Sequence, residues 1–329
     1  MSNQPPPRFD LIRARGPGHD SAAHRAQLAA RRLPPSLTDP DQGSRDYQPT
    51  AALMTAINTA IAVAAPLLLT GEPGTGKTQV AGYIGAYFGI PVFPFQVRST
   101  STADELKYDF DAVAYLHWAQ SARAAGGNGP HQPRWAQAHR ERRSDQRQRS
   151  AFLTPCPLWR AYAHNGDAVV LIDEIDKAPR DFPNDLLHEL DQHQFPHPFE
   201  PRIIAPRSGR PPIVIITSND ERRLPDAFLR RCIFYRIELT ATLIKDATEA
   251  RIGDFPDLDS DTRKAARERF WELRNSGIDK PPSTAELLVW LSILSARGIT
   301  AADLRDRPLR ALPAIEALVK DKDDLEVLG

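Results

Sequence analysis

One stretch limits this chain more than any other. LLLTGEPGTGKTQV, residues 67–80, is an apolar run that breaks into a glycine-rich turn and ends in lysine and threonine. Gly71, Gly76, Lys77 and Thr78 fit the spacing G-x-x-x-x-G-K-[ST]. Leu67–Leu69 reads as a short buried strand and Thr78–Phe88 as a helix, the two flanks such a loop needs. Glycines let the backbone curl so that successive N–H groups point at phosphate oxygens, and the helix adds its positive end. The expected phosphate-binding element is therefore the whole loop: Gly71, Glu72, Pro73, Gly74, Thr75, Gly76, Lys77 and Thr78. Lys77 is expected to reach the β- and γ-phosphates, and the Thr78 hydroxyl to bind Mg²⁺.

The rest of the chain supplies more strands and helices. Leu53, Ile57, Ile61 and Ala64 are spaced for one helix face, which Pro66 is expected to end. Val92–Val97, Val169–Ile172 and Ile213–Thr217 read as further apolar strands. Strands alternating with helices predict a P-loop-type parallel sheet with helices on both faces, an α/β fold. From about Thr240 the strand signal stops, and helices are expected near 260–276, 284–297 and 301–320. The expected organisation is an arm without regular structure over 1–45, an α/β domain over 46–239 and a small all-α lid over 240–329. Residues 121–150, with seven arginines and two acids, read as a flexible insertion.

A second cluster of chemistry follows the strand VVLIDEID, residues 169–176. Asp173 is expected at the strand's carboxyl end, where α/β sheets place ligands, and there it could hold Mg²⁺. Glu174 can polarise a water for attack on a γ-phosphate. Asp176 and Lys177 read as a solvated helix start. Asn219 follows the strand Ile213–Thr217; if that strand neighbours the Asp173 strand, its amide falls near the attacking water. Arg230 and Arg231 end a short helix and face outward, where an arginine could stabilise charge in a neighbouring subunit's site. The N-K-x-D element that reads guanine is absent from the sequence, which favours an adenine nucleotide.

In this order GEPGTGKT, VVLIDEID, TSND and LPDAFLRRC resemble the AAA+ ATPases, and within them the MoxR family, over roughly residues 47–310. The resemblance implies an ATPase that uses ATP and Mg²⁺ and works as a homo-oligomer, commonly a hexameric ring with ATP between subunits. By the same resemblance Asn219 is the sensor-1 residue and Arg231 matches the arginine finger. The family often has Asp-Arg-Phe there; this chain has Arg230-Arg231-Cys232, which keeps Arg230 as an alternative. STSTADELKYDFD, residues 99–111, could begin an insert in the second helix. Residues 186–212 could form a hairpin before the sensor-1 strand. A nucleotide-reading arginine near the start of the helix in KPPSTAELLVWL is missing, because Ala285 stands at its place; Lys280 could substitute. Ser283 and Glu286 form a capping box there, and Leu287, Leu288, Leu291 and Leu294 a core face.

Bulk properties narrow the partners. Lysine plus arginine equals aspartate plus glutamate, 42 each, which argues against a chain devoted to nucleic acid. The two cysteines, Cys156 and Cys232, form no metal spacing, and the longest apolar run is too short to span a membrane. A cytoplasmic protein without a membrane role is expected. MoxR-type systems often act with a von Willebrand factor A protein, so the implied role is chaperone-like remodelling through such an effector. The alternative is a nucleic-acid-associated AAA+ motor subunit of a restriction or defence system, for which the arginine-rich insertion speaks.

Overall fold

A computed structural model describes residues 21–29, 42–125 and 148–328. The expected N-terminal arm lies outside the described residues except for helices Ser21–Ala29 and Gln42–Arg45. The expected insertion lies outside them over 126–147. The chain forms two compact units. One gathers Met1–Pro49, Gly71–Tyr83 and Ile237–Gly329; the other gathers Thr50–Thr70 and Ile84–Arg236.

The second unit is built on a parallel sheet. Its five strands are β1 (Leu67–Thr70), β2 (Val92–Gln96), β5 (Val169–Asp173), β8 (Ile213–Ser218) and β9 (Ile233–Arg236). They lie in the order β2-β5-β8-β1-β9, and every pairing is parallel. Leu67, Leu68 and Leu69 are each fully buried. Successive residues of a strand point to opposite faces, so both faces of the sheet are covered. The helix Ala51–Val63 supplies Leu53, Ile57 and Ala60 to the buried set, and the Thr50 hydroxyl caps it by accepting the Leu53 N–H at 3.2 Å. Ala64, in the left-handed conformation at φ 52°, ends it two residues before Pro66.

Two excursions leave this sheet. The strands β3 (Tyr108–Phe110) and β4 (Leu153–Pro155) pair antiparallel, as do β6 (Phe195–Pro196) and β7 (Ile203–Ile204). The hairpin expected before the Ile213 strand is therefore present. Its tip residue Phe199 meets Phe110 with ring centroids 4.9 Å apart, and Arg149 lies over both Tyr115 and Phe199.

Helices dominate the C-terminal part of the first unit. Ala241–Ala250, Ser260–Arg274 and Thr284–Arg297 start on Thr240, Asp259 and Ser283, each of which accepts a first-turn N–H. The capping box of Ser283 and Glu286 is formed. Phe255, Phe270, Leu287, Trp290, Leu291 and Leu294 are fully buried together, and the Trp290 indole donates to the Pro313 carbonyl at 2.7 Å. The helix expected over 301–320 is broken. Ala301–Arg305 is followed only by short 3-10 turns at Leu309–Ala311 and Ile315–Ala317, because Pro308 and Pro313 remove backbone donors.

Candidate functional site

Because the sheet is parallel, the ends of β1, β2, β5 and β8 share one edge. Gln96 ends β2 and Asp173 ends β5, and the two are direct partners in register. Thr70 ends β1 opposite Ser218 of β8. Asp173, Glu174, Asp176, Lys177, Thr217 and Asn219 are brought together at this edge. The Thr217 hydroxyl donates to Asp173 Oδ1 at 2.6 Å and accepts the Glu174 N–H at 2.8 Å. One side chain thus orients both carboxylate-bearing residues. Glu174 sits in the left-handed conformation, φ 60°, ψ 52°. For a non-glycine residue that costs about 1 kcal/mol or more and persists only where surrounding contacts enforce it.

Both oxygens of the Glu174 carboxylate are engaged. Oε2 accepts from Gln96 Nε2 at 2.7 Å and from Lys177 Nζ at 2.6 Å, and Oε1 accepts from Asn219 Nδ2 at 3.2 Å. The bond to Glu174 holds the Lys177 ammonium above the ordinary lysine range. Asp176 is not solvated as its position suggested; it is 2% exposed. Its two oxygens accept the backbone N–H groups of Asn219 at 3.1 Å and Glu221 at 3.3 Å. A buried carboxylate is stable only with such partners, and here they fix the turn that carries Asn219. Asp220 in that turn is also left-handed, at φ 60°. Thr217 and Gln96 were not among the residues expected from sequence. The signal for Thr217 is a polar residue ending an otherwise apolar strand; for Gln96 no local signal exists.

The phosphate loop belongs to the other unit. Gly71, Gly74 and Gly76 have φ of 143°, 74° and 89°, a backbone that other residues rarely adopt. Close neighbours add a second reason for glycine. A Cβ on Gly71 would lie 2.4 Å from the Ile237 carbonyl oxygen, and one on Gly76 2.8 Å from the Tyr47 ring. Lys77, 6% exposed, donates to the carbonyls of Gly71 at 2.7 Å and Glu72 at 2.8 Å. The Thr75 hydroxyl donates to the Glu72 carbonyl at 2.9 Å. Gly76, Lys77 and Thr78 lead into the helix Lys77–Phe88, so its N-terminal end adjoins the loop.

A profile of the AAA domain (dynein-related subfamily) matches residues 66–232, half of the chain. The chain belongs to this family. No curated protein matches it. Among solved structures, a candidate ATPase from Cytophaga hutchinsonii is similar at 14% identity over 78% of this chain and 77% of that one, with a TM-score of 0.38. That likeness carries no argument about activity.

In this AAA domain the two arginines differ in their surroundings. Arg231 Nε lies 2.6 Å from Asp191 Oδ2, and its guanidinium also donates to the Ala227 carbonyl at 2.9 Å. Arg230 is exposed and makes no side-chain hydrogen bond or ion pair among the described residues. Burial pushes the neighbouring Cys232 thiol to about 12, which keeps it protonated and unreactive. Lys280, the residue expected to substitute for an arginine at Ala285, is exposed. Its ammonium pairs with Asp321 at 2.7 Å. No helix among the described residues is long and apolar enough to cross a membrane.

Proposed function

We propose that the protein is a Mg²⁺-dependent ATPase of the MoxR type that remodels a partner protein. The observation that carries the reading is the Glu174 carboxylate, held at a strand end by Asn219, Gln96 and Lys177 beside Asp173. A carboxylate that binds no metal, next to one that can, suits activation of water better than recognition of an acceptor hydroxyl. Lys77 would hold the β- and γ-phosphates, exchanging its bonds to the loop carbonyls for bonds to phosphate oxygen. Gly71, Glu72, Pro73, Gly74, Thr75 and Gly76 would present backbone N–H groups to the phosphates.

By their places in the two sequence motifs, the Thr78 hydroxyl and the Asp173 carboxylate would each offer an oxygen to Mg²⁺, an ion that takes few protein ligands and completes its shell with phosphate and water. Bound there, it would neutralise charge on the phosphates. Asn219 would position the water against Glu174. Oε2 is held by Gln96 and Lys177, and Oε1, which accepts from Asn219, would take the proton on its remaining lone pair.

The reading extends to assembly. An arginine from a neighbouring copy, Arg231 or Arg230, would complete the site, as in the ring-forming relatives that the sequence resembles. A separate effector protein, of the von Willebrand factor A kind, would receive the force. The test is phosphate release from ATP and from GTP over a range of protein concentrations. Release with ATP, rising per subunit as concentration rises through assembly, supports the reading. A rate per subunit that stays constant across dilution removes the shared site.

A further inference from the structure

The phosphate loop is gripped from outside by one stretch of the helical segment. Arg274 is the last residue of the helix Ser260–Arg274 and its side chain is 9% exposed. One guanidinium nitrogen lies 2.6 Å from Glu72 Oε2, and another donates to the Pro282 carbonyl. The guanidinium carbon lies 5.9 Å from the Phe270 ring centre and 5.8 Å from that of Trp271, within reach of cation–π attraction. Pro282 precedes Ser283, the cap of the helix Thr284–Arg297. Ser283 itself abuts the loop: a Cβ on Gly74 would lie 2.6 Å from the Ser283 Cβ.

Charge explains why such a grip is needed. Glu72 is the one acid inside the loop GEPGTGKT. Unpaired, its carboxylate would repel the phosphates the loop is read to bind. Arg274 neutralises it with a fork that reaches Glu72 and the carbonyl before the helix cap at once, a geometry that lysine lacks. The rings of Phe270 and Trp271 and the Pro282 carbonyl hold the fork in place, so little rotamer freedom is lost in making the contact.

We propose that Arg274 is a positioning residue of the nucleotide site. It acts through Glu72, tying the phosphate loop to the cap of the helix Thr284–Arg297, so that nucleotide affinity depends on that helical segment. This rests on the reading of residues 71–78 as a nucleotide site.

The experiment measures the affinity of the full chain for a fluorescent ATP analogue and for ADP with Mg²⁺, together with kcat and KM. Wild type, Arg274→Ala, Arg274→Lys, Glu72→Gln and the Arg274→Ala/Glu72→Gln double variant are compared. A coupling of this kind predicts a loss of about 10-fold in affinity for Arg274→Ala. The double variant should be no weaker than that single one, and Arg274→Lys should fall between Arg274→Ala and wild type. KM should rise more than kcat falls, as expected when binding rather than the chemical step is weakened. If Arg274→Ala fails to fold, Arg274→Lys, which keeps the charge but lacks the fork, carries the same test by its own loss of affinity. Nucleotide binding within twofold of wild type for Arg274→Ala, or for Arg274→Lys where the alanine variant does not fold, overturns the proposal. So does a double variant that binds more weakly than Arg274→Ala. Wild-type protein that binds no nucleotide overturns the underlying reading and the proposal with it.

Discussion

The phosphate loop and the carboxylate cluster carry different parts of the proposed chemistry, and they are specified in different ways. In the loop, geometry is carried by the backbone. Three glycines with φ between 74° and 143°, each against a close neighbour, set its shape. In the cluster, geometry is carried by side chains from separate strands. Thr217 from β8 orients Asp173 and Glu174 from β5, Gln96 from β2 holds the Glu174 carboxylate, and Asp176 holds the turn after β8. A backbone-defined site announces itself in a short stretch of sequence. A site defined by neighbours becomes visible only when the strand order is known.

The largest effect that can separate the two regions is on stability. Asp176→Ala would remove a buried carboxylate that accepts the part-buried N–H groups of Asn219 and Glu221, at a cost of about 3 kcal/mol in unfolding free energy. Urea unfolding measures it; a loss below about 0.5 kcal/mol, the size of an ordinary surface change, would break the claim that Asp176 is a structural member of the cluster. Gly71→Ala tests the loop. The new Cβ would meet the Ile237 carbonyl, and the backbone strain should weaken nucleotide binding by roughly 30-fold, or about 2 kcal/mol. Titration with a nucleotide analogue that finds no change would mean the loop tolerates a side chain, and backbone geometry would not be its defining property.

A smaller effect is expected at Thr217. The shape-preserving change Thr217→Val removes both of its bonds and should slow turnover by about 10-fold, while Thr217→Ser retains them. Equal rates for the valine and serine variants would show that the hydroxyl does not orient the carboxylates. The smallest effect is a pH response away from both sites. His197 Nδ1 accepts the N–H groups of Phe199 at 3.2 Å and Glu200 at 2.9 Å, so the fold needs the neutral ring. Burial, aided by Arg202, lowers its pKa below the ordinary 6.5, while Glu200 opposes the shift. The unfolded chain therefore takes the proton first as pH falls. His197 contributes its stability above about pH 6.5 and loses it progressively below. Thermal unfolding between pH 7.5 and 5.5 should reveal this component, and His197→Asn should remove it.

Much of the sheet was legible because its strands are apolar on both faces. The runs at Leu67, Val169 and Ile213 announce themselves as buried strands of a parallel sheet. Ile233–Arg236 was not expected, because every second residue of this edge strand is exposed and the run is only four residues long. The places of Lys77 in the loop and Glu174 after the strand were expected from motif spacing. The contacts of Thr217, Gln96 and Arg274 were not, since each depends on a partner at least 40 positions away: 44 for Thr217 to Asp173, 78 for Gln96 to Glu174 and 202 for Arg274 to Glu72. Asp176 was misread for the same reason. A carboxylate after a strand looks solvated until the turn that buries it is in view.

The most direct measurement is made on the Glu174→Gln protein, with ATP binding and phosphate release followed in one preparation. The amide keeps the shape of the side chain and cannot take a proton from water. The account predicts ATP affinity close to wild type and phosphate release slowed by about 100-fold or more, the usual contribution of a general base. Release at the wild-type rate with ATP bound would contradict it, because Glu174 would then not be the base.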